Sequence, residues 1–352
     1  MSSRIIFFVA FMVFIVFMLA MDLGVFHKKD HVIKIKEAAI WTGVWITLAM
    51  LFGLLLLFKA EWVHGISGME DLLAYAKGSG LEAQIQASSD YATALGIYRK
   101  EVFSQYLAGY FLEESLSIDN IFVMIMIFVS FGIDKKYYHR VLYWGILFAI
   151  VLRFVFIFAL GALVSKFSWI LAIFGVILIF SGIKMFKKKD DEQIDTANHP
   201  IVKFVSKHFR ATPNVDGHNF FTHIDGKRYM TPLFIVLLVI EFSDIIFAVD
   251  SIPAVFSVSL DPFIVFTSNI FAIMGLRSLF FLLSGIADRF WLLSYGLGVL
   301  LCFIGVKMIG HEFFGLNIGT TTSLLIILGI LFGSILLSLA IKNPKEKVTI
   351  DK

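Results

Sequence analysis

Nine apolar runs dominate this chain, and several are long enough to cross a bilayer as single helices. A helix rises 1.5 Å per residue, so a hydrocarbon core of roughly 30 Å needs about 20 residues. The runs fall at approximately 5–26, 37–59, 103–132, 141–163, 168–186, 231–257, 262–284, 289–309 and 319–341. With 59% hydrophobic residues, only 16% charged residues and a mean hydropathy of +0.86, the composition excludes a soluble globular protein. The expected fold is an all-α polytopic membrane protein of about nine transmembrane helices, one membrane domain over residues 1–352. Arg4 before the first run resembles the start of a signal peptide. No convincing small-x-small cleavage site follows, and Asp22-Leu23-Gly24 closes the run as a span. A single cysteine, Cys302, excludes an intrachain disulfide.

Lysine and arginine orient the chain. Most of the 30 lie in the loops after the first, third, fifth and seventh runs and in the C-terminal tail. Examples are Lys28, Lys29, Lys34, Lys36, Lys135, Lys136, Arg140 and the Lys187-Lys188-Lys189 run. The opposite side carries few, chiefly Lys77, Arg99, Lys100 and Lys166. The positive-inside rule therefore predicts an outer N-terminus and an inner C-terminus. Residues 60–100, with the breaker Gly78-Ser79-Gly80, are expected to be an extracytoplasmic loop. Residues 187–230, basic and containing Pro200 and Pro213, are expected to be a cytoplasmic one. Both read as connections with short interfacial helices rather than domains. A net charge of +3 is too small to indicate a nucleic-acid partner.

Within the apolar runs stand two matched acidic stretches, Glu113-Glu114-Ser115-Leu116-Ser117-Ile118-Asp119-Asn120 and Asp244-Ile245-Ile246-Phe247-Ala248-Val249-Asp250-Ser251. In each, an acid is followed six positions later by Asp and then by a small polar residue. Ionised carboxylates in hydrocarbon are costly, so their presence in a span marks function by default. The likeness extends further. Phe148-Ala149-Ile150-Val151-Leu152-Arg153 parallels Ala272-Ile273-Met274-Gly275-Leu276-Arg277, and Gly182-Ile183-Lys184-Met185 parallels Gly305-Val306-Lys307-Met308. The spacing predicts two three-helix repeats, residues 103–186 and 231–309. Three spans per unit is odd, so the two units are expected to be inverted relative to one another. Secondary transporters recurrently use this plan, with the substrate site near the midplane between the repeats.

Glu113, Asp119, Asp244 and Asp250 are the predicted metal ligands, with Ser117, Asn120, Ser243 and Ser251 as auxiliary oxygen donors. Six residues on a continuous helix turn through about 600° and rise about 9 Å, so the two acids of a pair would not share a face. Either each pair lines two sides of a path or the helix is unwound between them. Pro253 favours unwinding in the sixth run, because it frees the carbonyl of Val249. Glu113 and its neighbour Glu114 both remain candidates for the site, although the repeat partner of Glu114 is Ile245. Arg153 and Arg277 are predicted to compensate charge or gate, Asn269 to make a hydrogen bond between helices, and Asp22 to stand near the cytoplasmic mouth. Carboxylate, amide and hydroxyl oxygens suit hard divalent cations. Met124 and Met126 add thioethers that would bias the site toward Mn²⁺, although ordinary packing explains them as well. His199, His208, His218 and His223 have no compact metal-site spacing and read as a solvated loop.

Residues 109–122, Gly109-Tyr110-Phe111-Leu112-Glu113-Glu114-Ser115-Leu116-Ser117-Ile118-Asp119-Asn120-Ile121-Phe122, closely resemble the leading signature of the TerC/Alx family of integral membrane proteins. Phe242-Ser243-Asp244-Ile245-Ile246-Phe247-Ala248-Val249-Asp250-Ser251-Ile252-Pro253-Ala254 resembles its second signature. Asp22-Leu23-Gly24 and Trp144-Gly145 followed by Arg153 also fit, so the resemblance runs through most of residues 10–310. It implies an exporter-like fold of the wider LysE-like superfamily, an acidic role for Glu113, Asp119, Asp244 and Asp250, and Mn²⁺ export across the bacterial inner membrane. The expected function is thus divalent-metal efflux by a proton antiporter, with Mn²⁺ and protons as passing ligands, no permanently bound cofactor and no enzymatic activity. Two other classes compete. A membrane scaffold in a metal- or tellurite-stress complex would tolerate neutralisation of all four acids. An intramembrane aspartyl protease would need a Gly-x-Gly-Asp context, but Ala248 and Val249 precede Asp250.

Overall fold

The computed structural model describes residues 3–24, 33–77, 81–167, 169–187, 200–285 and 291–341. Each of the nine apolar runs coincides with a helix: α1 (Ser3–Gly24), α2 (Ile35–Lys59), α6 (Tyr91–Ser130), α7 (Lys135–Val164), α8 (Ile170–Lys187), α10 (Pro232–Phe256), α11 (Pro262–Leu283), α12 (Leu293–Phe314) and α13 (Thr320–Ala340). Length and apolarity qualify six of them as membrane spans: α2, α7, α10, α11, α12 and α13. Shorter apolar stretches, Ile5–Leu19 and Ile170–Phe186, lie in α1 and α8. α6 falls outside that class by composition, since Arg99, Lys100, Glu101, Glu113, Glu114 and Asp119 all ride on it.

α6 starts earlier than the apolar run suggests. Asp90 accepts a hydrogen bond from the Thr93 amide at 2.9 Å and caps the helix, which then continues for 40 residues. At about 60 Å it exceeds any bilayer core, so part of it stands in the aqueous phase. Before it, α3 (Glu61–His64), α4 (Met69–Ala76) and α5 (Glu82–Gln86) break the expected outer loop into short helices. The second loop contains α9 (Pro200–His208) and a hairpin of β1 (Phe221–Ile224) and β2 (Lys227–Met230). Its strands pair antiparallel from Phe221↔Met230 to Ile224↔Lys227. The connection is Asp225-Gly226, both at positive φ, as a two-residue hairpin turn of this hand requires. The short interfacial helices expected there account for α9 but not for the hairpin.

α11 is the axle of the bundle. Its apolar window is entirely buried, with α2, α6 and α7 packed around it. At Gly109 of α6 an added Cβ would meet Ser268 Oγ of α11 at 2.7 Å, so the two backbones approach more closely than any side chain allows. The helices of residues 103–186 pack mainly on those of 231–309: α6 on α10 and α11, α7 on α10 and α11, and α8 on α12. Four glycines permit the last contact. A Cβ on Gly175 would sit 2.9 Å from the Gly305 carbonyl oxygen, and one on Gly182 would sit 2.7 Å from that of Gly298. Small residues at such crossings let helices touch through their backbones, where apolar solvent supplies no hydrophobic drive.

α10 differs from the expectation of an unwound segment. It runs without interruption from Pro232 through Asp244, Asp250 and Pro253 to Phe256. Pro253 stands one turn from the C-terminal end, where the single backbone bond that it removes is tolerated without breaking the turns before it. α6 is likewise continuous between Glu113 and Asp119. The two acids of each stretch therefore lie on different faces of intact helices.

Candidate functional site

Glu113 and Asp244 converge from α6 and α10 on one cation. Arg153, on α7, donates through Nη1 to Glu113 Oε1 in a direct ion pair, and its Nη2 lies 3.6 Å from Asp244 Oδ1. All three are buried, Glu113 completely. The same Nη1 donates to Asn269 Oδ1 of α11 at 2.6 Å, while the Asn269 amide donates to the Val265 carbonyl at 3.1 Å. Ser117, one turn along α6, donates to Glu113 Oε1 at 3.2 Å. Burying an arginine is tolerable only with such compensation, since each unpaired charge costs several kcal/mol. The ambiguity between neighbouring acids resolves here: Glu113, not Glu114, meets Arg153.

The second carboxylate oxygens are the chemically open part. Among the described residues Glu113 Oε2 and Asp244 Oδ2 are buried without a hydrogen-bond donor, and Ser251 Oγ on α10 is buried without a partner. Buried carboxylate oxygens ordinarily find donors, so orphaned ones mark either stored cost or an unfilled ligand position. Beside Asp244 opens a narrow cleft, walled by α6, α7, α10 and α11. Met124, Gly145, Glu241, Asp244 and Arg277 contribute to its lining. Glu241 Oε2 is also buried without a donor. A Cβ on Gly145 would come within 3.3 Å of Glu241 Oε1, so the absent side chain makes room for this carboxylate. Arg277 reaches His139 Nε2 from Nη1 at 2.8 Å.

The other predicted residues spread along the bundle. Asp250 accepts from Ser181 of α8 at 2.8 Å and so belongs to the α8–α10 interface, apart from the Arg153 centre. Asp119 is half-buried on α6, and Asn120 beside it is buried. Ser243 donates to the Val239 carbonyl of its own helix at 2.9 Å. Asp22 lies in α1, but its side chain is outside the described residues. Among the described residues no group of three or more His, Cys, Asp or Glu is close enough to enclose a metal ion. Two of the four predicted ligands are thus brought together, with an arginine between them. Asn269 makes the hydrogen bond between helices that the sequence predicts for it, whereas Glu241 and Ser181 are not among the predicted site residues. Glu241 was legible as an acid inside an apolar run, three residues before Asp244 on the same helical face.

Comparison with known sequences bears on this centre. A sequence model described as the integral membrane protein TerC family matches residues 98–346, the stretch that carries every candidate site acid except Asp22. An "Uncharacterized membrane protein STKORF319" of Myxococcus xanthus is 41% identical over 329 residues, covering 94% of this chain and 90% of that protein. A "Putative membrane-bound redox modulator Alx" of Photorhabdus laumondii is 42% identical over 311 residues, 88% of each chain. A protein of the same description from Escherichia coli K12 is 40% identical over 332 residues, 94% of this chain and 92% of that one. No solved structure matches.

Proposed function

The chain belongs to the TerC family of integral membrane proteins, and from that premise we propose that it is a secondary transporter. It exports a divalent metal ion, Mn²⁺ in the first place, from the cytoplasm of a bacterium across the inner membrane in exchange for protons. The observation that carries the reading is the pair of opposed acids: Glu113 and Asp244, from equivalent places in the two sequence repeats, share one arginine. Each leaves one buried oxygen without a donor. Glu241 and the Met124 thioether line the way in. Oxygen donors with one adjacent sulfur suit Mn²⁺ better than Mg²⁺ or Ca²⁺.

Exchange follows from charge. With both acids ionised, the Glu113–Arg153–Asp244 centre carries one net negative charge in a setting where charge is costly. A divalent ion displaces the guanidinium from between the carboxylates; once it leaves, protons or the returning guanidinium neutralise them. The arginine is thereby a competitor for the ion and resets the empty site. Arg277, the repeat counterpart of Arg153, lines the cleft together with Asp244 and reaches His139, which supports a pseudo-symmetric pair of halves. The glycine contacts support the same symmetry. Gly175 and Gly182 correspond to Gly298 and Gly305, and each meets the other's counterpart across the α8–α12 contact. The cleft is lined by the first half of α7, the end that bears Lys135, Lys136 and Arg140, and this supports an opening toward the cytoplasm.

The description of the relatives as redox modulators belongs to those proteins. Thiol–disulfide exchange within one chain needs two cysteines, and this one has Cys302 alone, packed against Gly182 at the α8–α12 contact. Mn²⁺ flux in proteoliposomes, for wild type and for Glu113→Gln and Asp244→Asn, tests the proposal. Transport that persists with both acids neutralised favours the scaffold reading instead.

A further inference from the structure

A second buried ionisable cluster lies at the opposite end of the bundle from the cleft. His64 of α3 is enclosed by Asp261, the residue that caps α11, by Tyr98 of α6 and by Tyr75 of α4. Its Nε2 is in ion-pair contact with Asp261 Oδ2, and its Nδ1 lies 2.5 Å from the Tyr98 hydroxyl. Tyr75 stacks on the imidazole at 4.4 Å between ring centres and donates to the same Asp261 oxygen at 3.0 Å. Tyr98 also reaches the Ala60 carbonyl at 3.1 Å.

Counting protons makes this a two-state device. Nε2 is in ion-pair contact with a carboxylate that has no proton to give, so a hydrogen on Nε2 is the arrangement that avoids two facing lone pairs, although no directed hydrogen bond forms there. Tyr98 has one hydroxyl proton for two neighbours, Ala60 O and His64 Nδ1. If it donates to Ala60, Nδ1 must donate to the tyrosine oxygen and the ring is an imidazolium. If it turns to Nδ1, the ring is neutral and the Ala60 carbonyl loses that donor. One proton therefore exchanges one hydrogen bond for another at the α2–α3 junction.

The remaining charged groups leave the imidazolium its partner. Glu61 on α3 is engaged with Arg99 of α6, its Oε2 accepting from Nε at 2.8 Å, and is held below the usual carboxylate range with Lys59 nearby. Glu101 of α6 bonds to Thr320 at 2.5 Å and to Gln105. Asp261 stays below the carboxylate range despite its burial, because His64 faces it and the Phe263 amide and the Tyr75 hydroxyl donate to it. Burial and the Asp261 charge push both tyrosines far above their ordinary range, so they act as neutral donors.

We propose that His64, with Asp261, Tyr75 and Tyr98, is a proton-binding site at the outer mouth, through which the entering proton biases α11. This rests on the proton-exchange reading above. The mechanical link is direct. Asp261 Oδ1 accepts from the Phe263 amide at 2.9 Å, fixing the first turn of α11. Eight residues further, about 12 Å along the same rigid helix, Asn269 holds Arg153. Loss of the imidazolium removes the ionic partner of the cap and loosens the helix that positions the guanidinium between Glu113 and Asp244.

Two readouts on the full-length protein test this. The first is the titration of ¹⁵N-histidine signals in lipid nanodiscs from about pH 5 to about pH 8.5, the span over which imidazole ordinarily changes charge. His64→Gln identifies the signal. Asp261→Asn keeps the cap acceptor but removes the charge, and is expected to favour the neutral ring over the imidazolium. The second is Mn²⁺ flux in proteoliposomes against external pH. His64→Gln is expected to transport but to lose the part of the pH dependence that coincides with the His64 titration. A His64 signal that never changes charge in this range, an unmoved midpoint in Asp261→Asn, or an unaltered pH profile in His64→Gln overturns the proposal. If wild-type vesicles move no Mn²⁺, the transport reading fails, and the titration alone decides the proton site. Should either variant fail to fold, the wild-type signal is assigned by Tyr98→Phe, which perturbs its Nδ1 neighbour.

Discussion

Removing Arg153 is the sharpest perturbation of the centre. At 3.6 Å and an effective dielectric constant of about 20, its attraction to Asp244 alone is about 5 kcal/mol before desolvation is counted. Glu113 is nearer still and fully buried. The net cost of breaking such a pair is smaller, because the charges that remain can move or neutralise; about 3–5 kcal/mol is the usual range. Arg153→Gln keeps a donor for Asn269 but leaves two buried carboxylates without a counter-charge, so that full range is expected. Glu113→Gln should cost less than Arg153→Gln, since Arg153 retains Asp244, and Asp244→Asn should cost least. The combination Glu113→Gln/Arg153→Gln should recover part of the loss, with a coupling energy of about 2 kcal/mol or more. Reversible SDS unfolding in mixed micelles, followed by tryptophan fluorescence, measures all four variants. If the two substitutions add to within about 0.5 kcal/mol, they do not form one unit and the account of the centre is wrong.

Glu241→Gln leaves the Arg153 centre intact and should weaken apparent Mn²⁺ affinity about tenfold in vesicle flux, with a smaller effect on maximal rate. Gly305→Leu places side-chain atoms where a Cβ would already lie 2.5 Å from the Gly175 carbonyl oxygen. It should force α8 from α12, cost about 3 kcal/mol or more in the same SDS titration, and abolish flux. Met124→Leu preserves packing volume and should change selectivity rather than stability, lowering the preference for Mn²⁺ over Ca²⁺ in competition assays.

The helices were legible because apolar runs of this length have few alternatives to crossing a membrane. The start of α6 was not, since Tyr91–Val102 is a polar amphipathic extension; the Asp90…Thr93 cap was its available signal. The unwinding expected at Pro253 failed because its distance from the helix end decides whether a lost backbone bond matters, and that end is set by the turn at Ser257. Glu113 and Asp244 were readable from the internal repeat. Arg153 was readable as a compensating charge; that this one arginine meets acids from both halves was not, because a repeat pairs equivalent positions. His64 and Asp261 are almost 200 residues apart, so only the packing of α3 against the cap of α11 brings them together. Glu241 has no acidic counterpart in the first repeat, where Tyr110 stands at the equivalent place, so the internal likeness does not mark it.

The most direct measurement is Mn²⁺ efflux from proteoliposomes with and without an imposed pH gradient, comparing wild type with Glu113→Gln/Asp244→Asn. The account predicts gradient-driven efflux from wild type that falls to the level of empty vesicles in the double variant, while the variant remains folded. Equal efflux from both proteins, or none from folded wild type under any gradient, contradicts it.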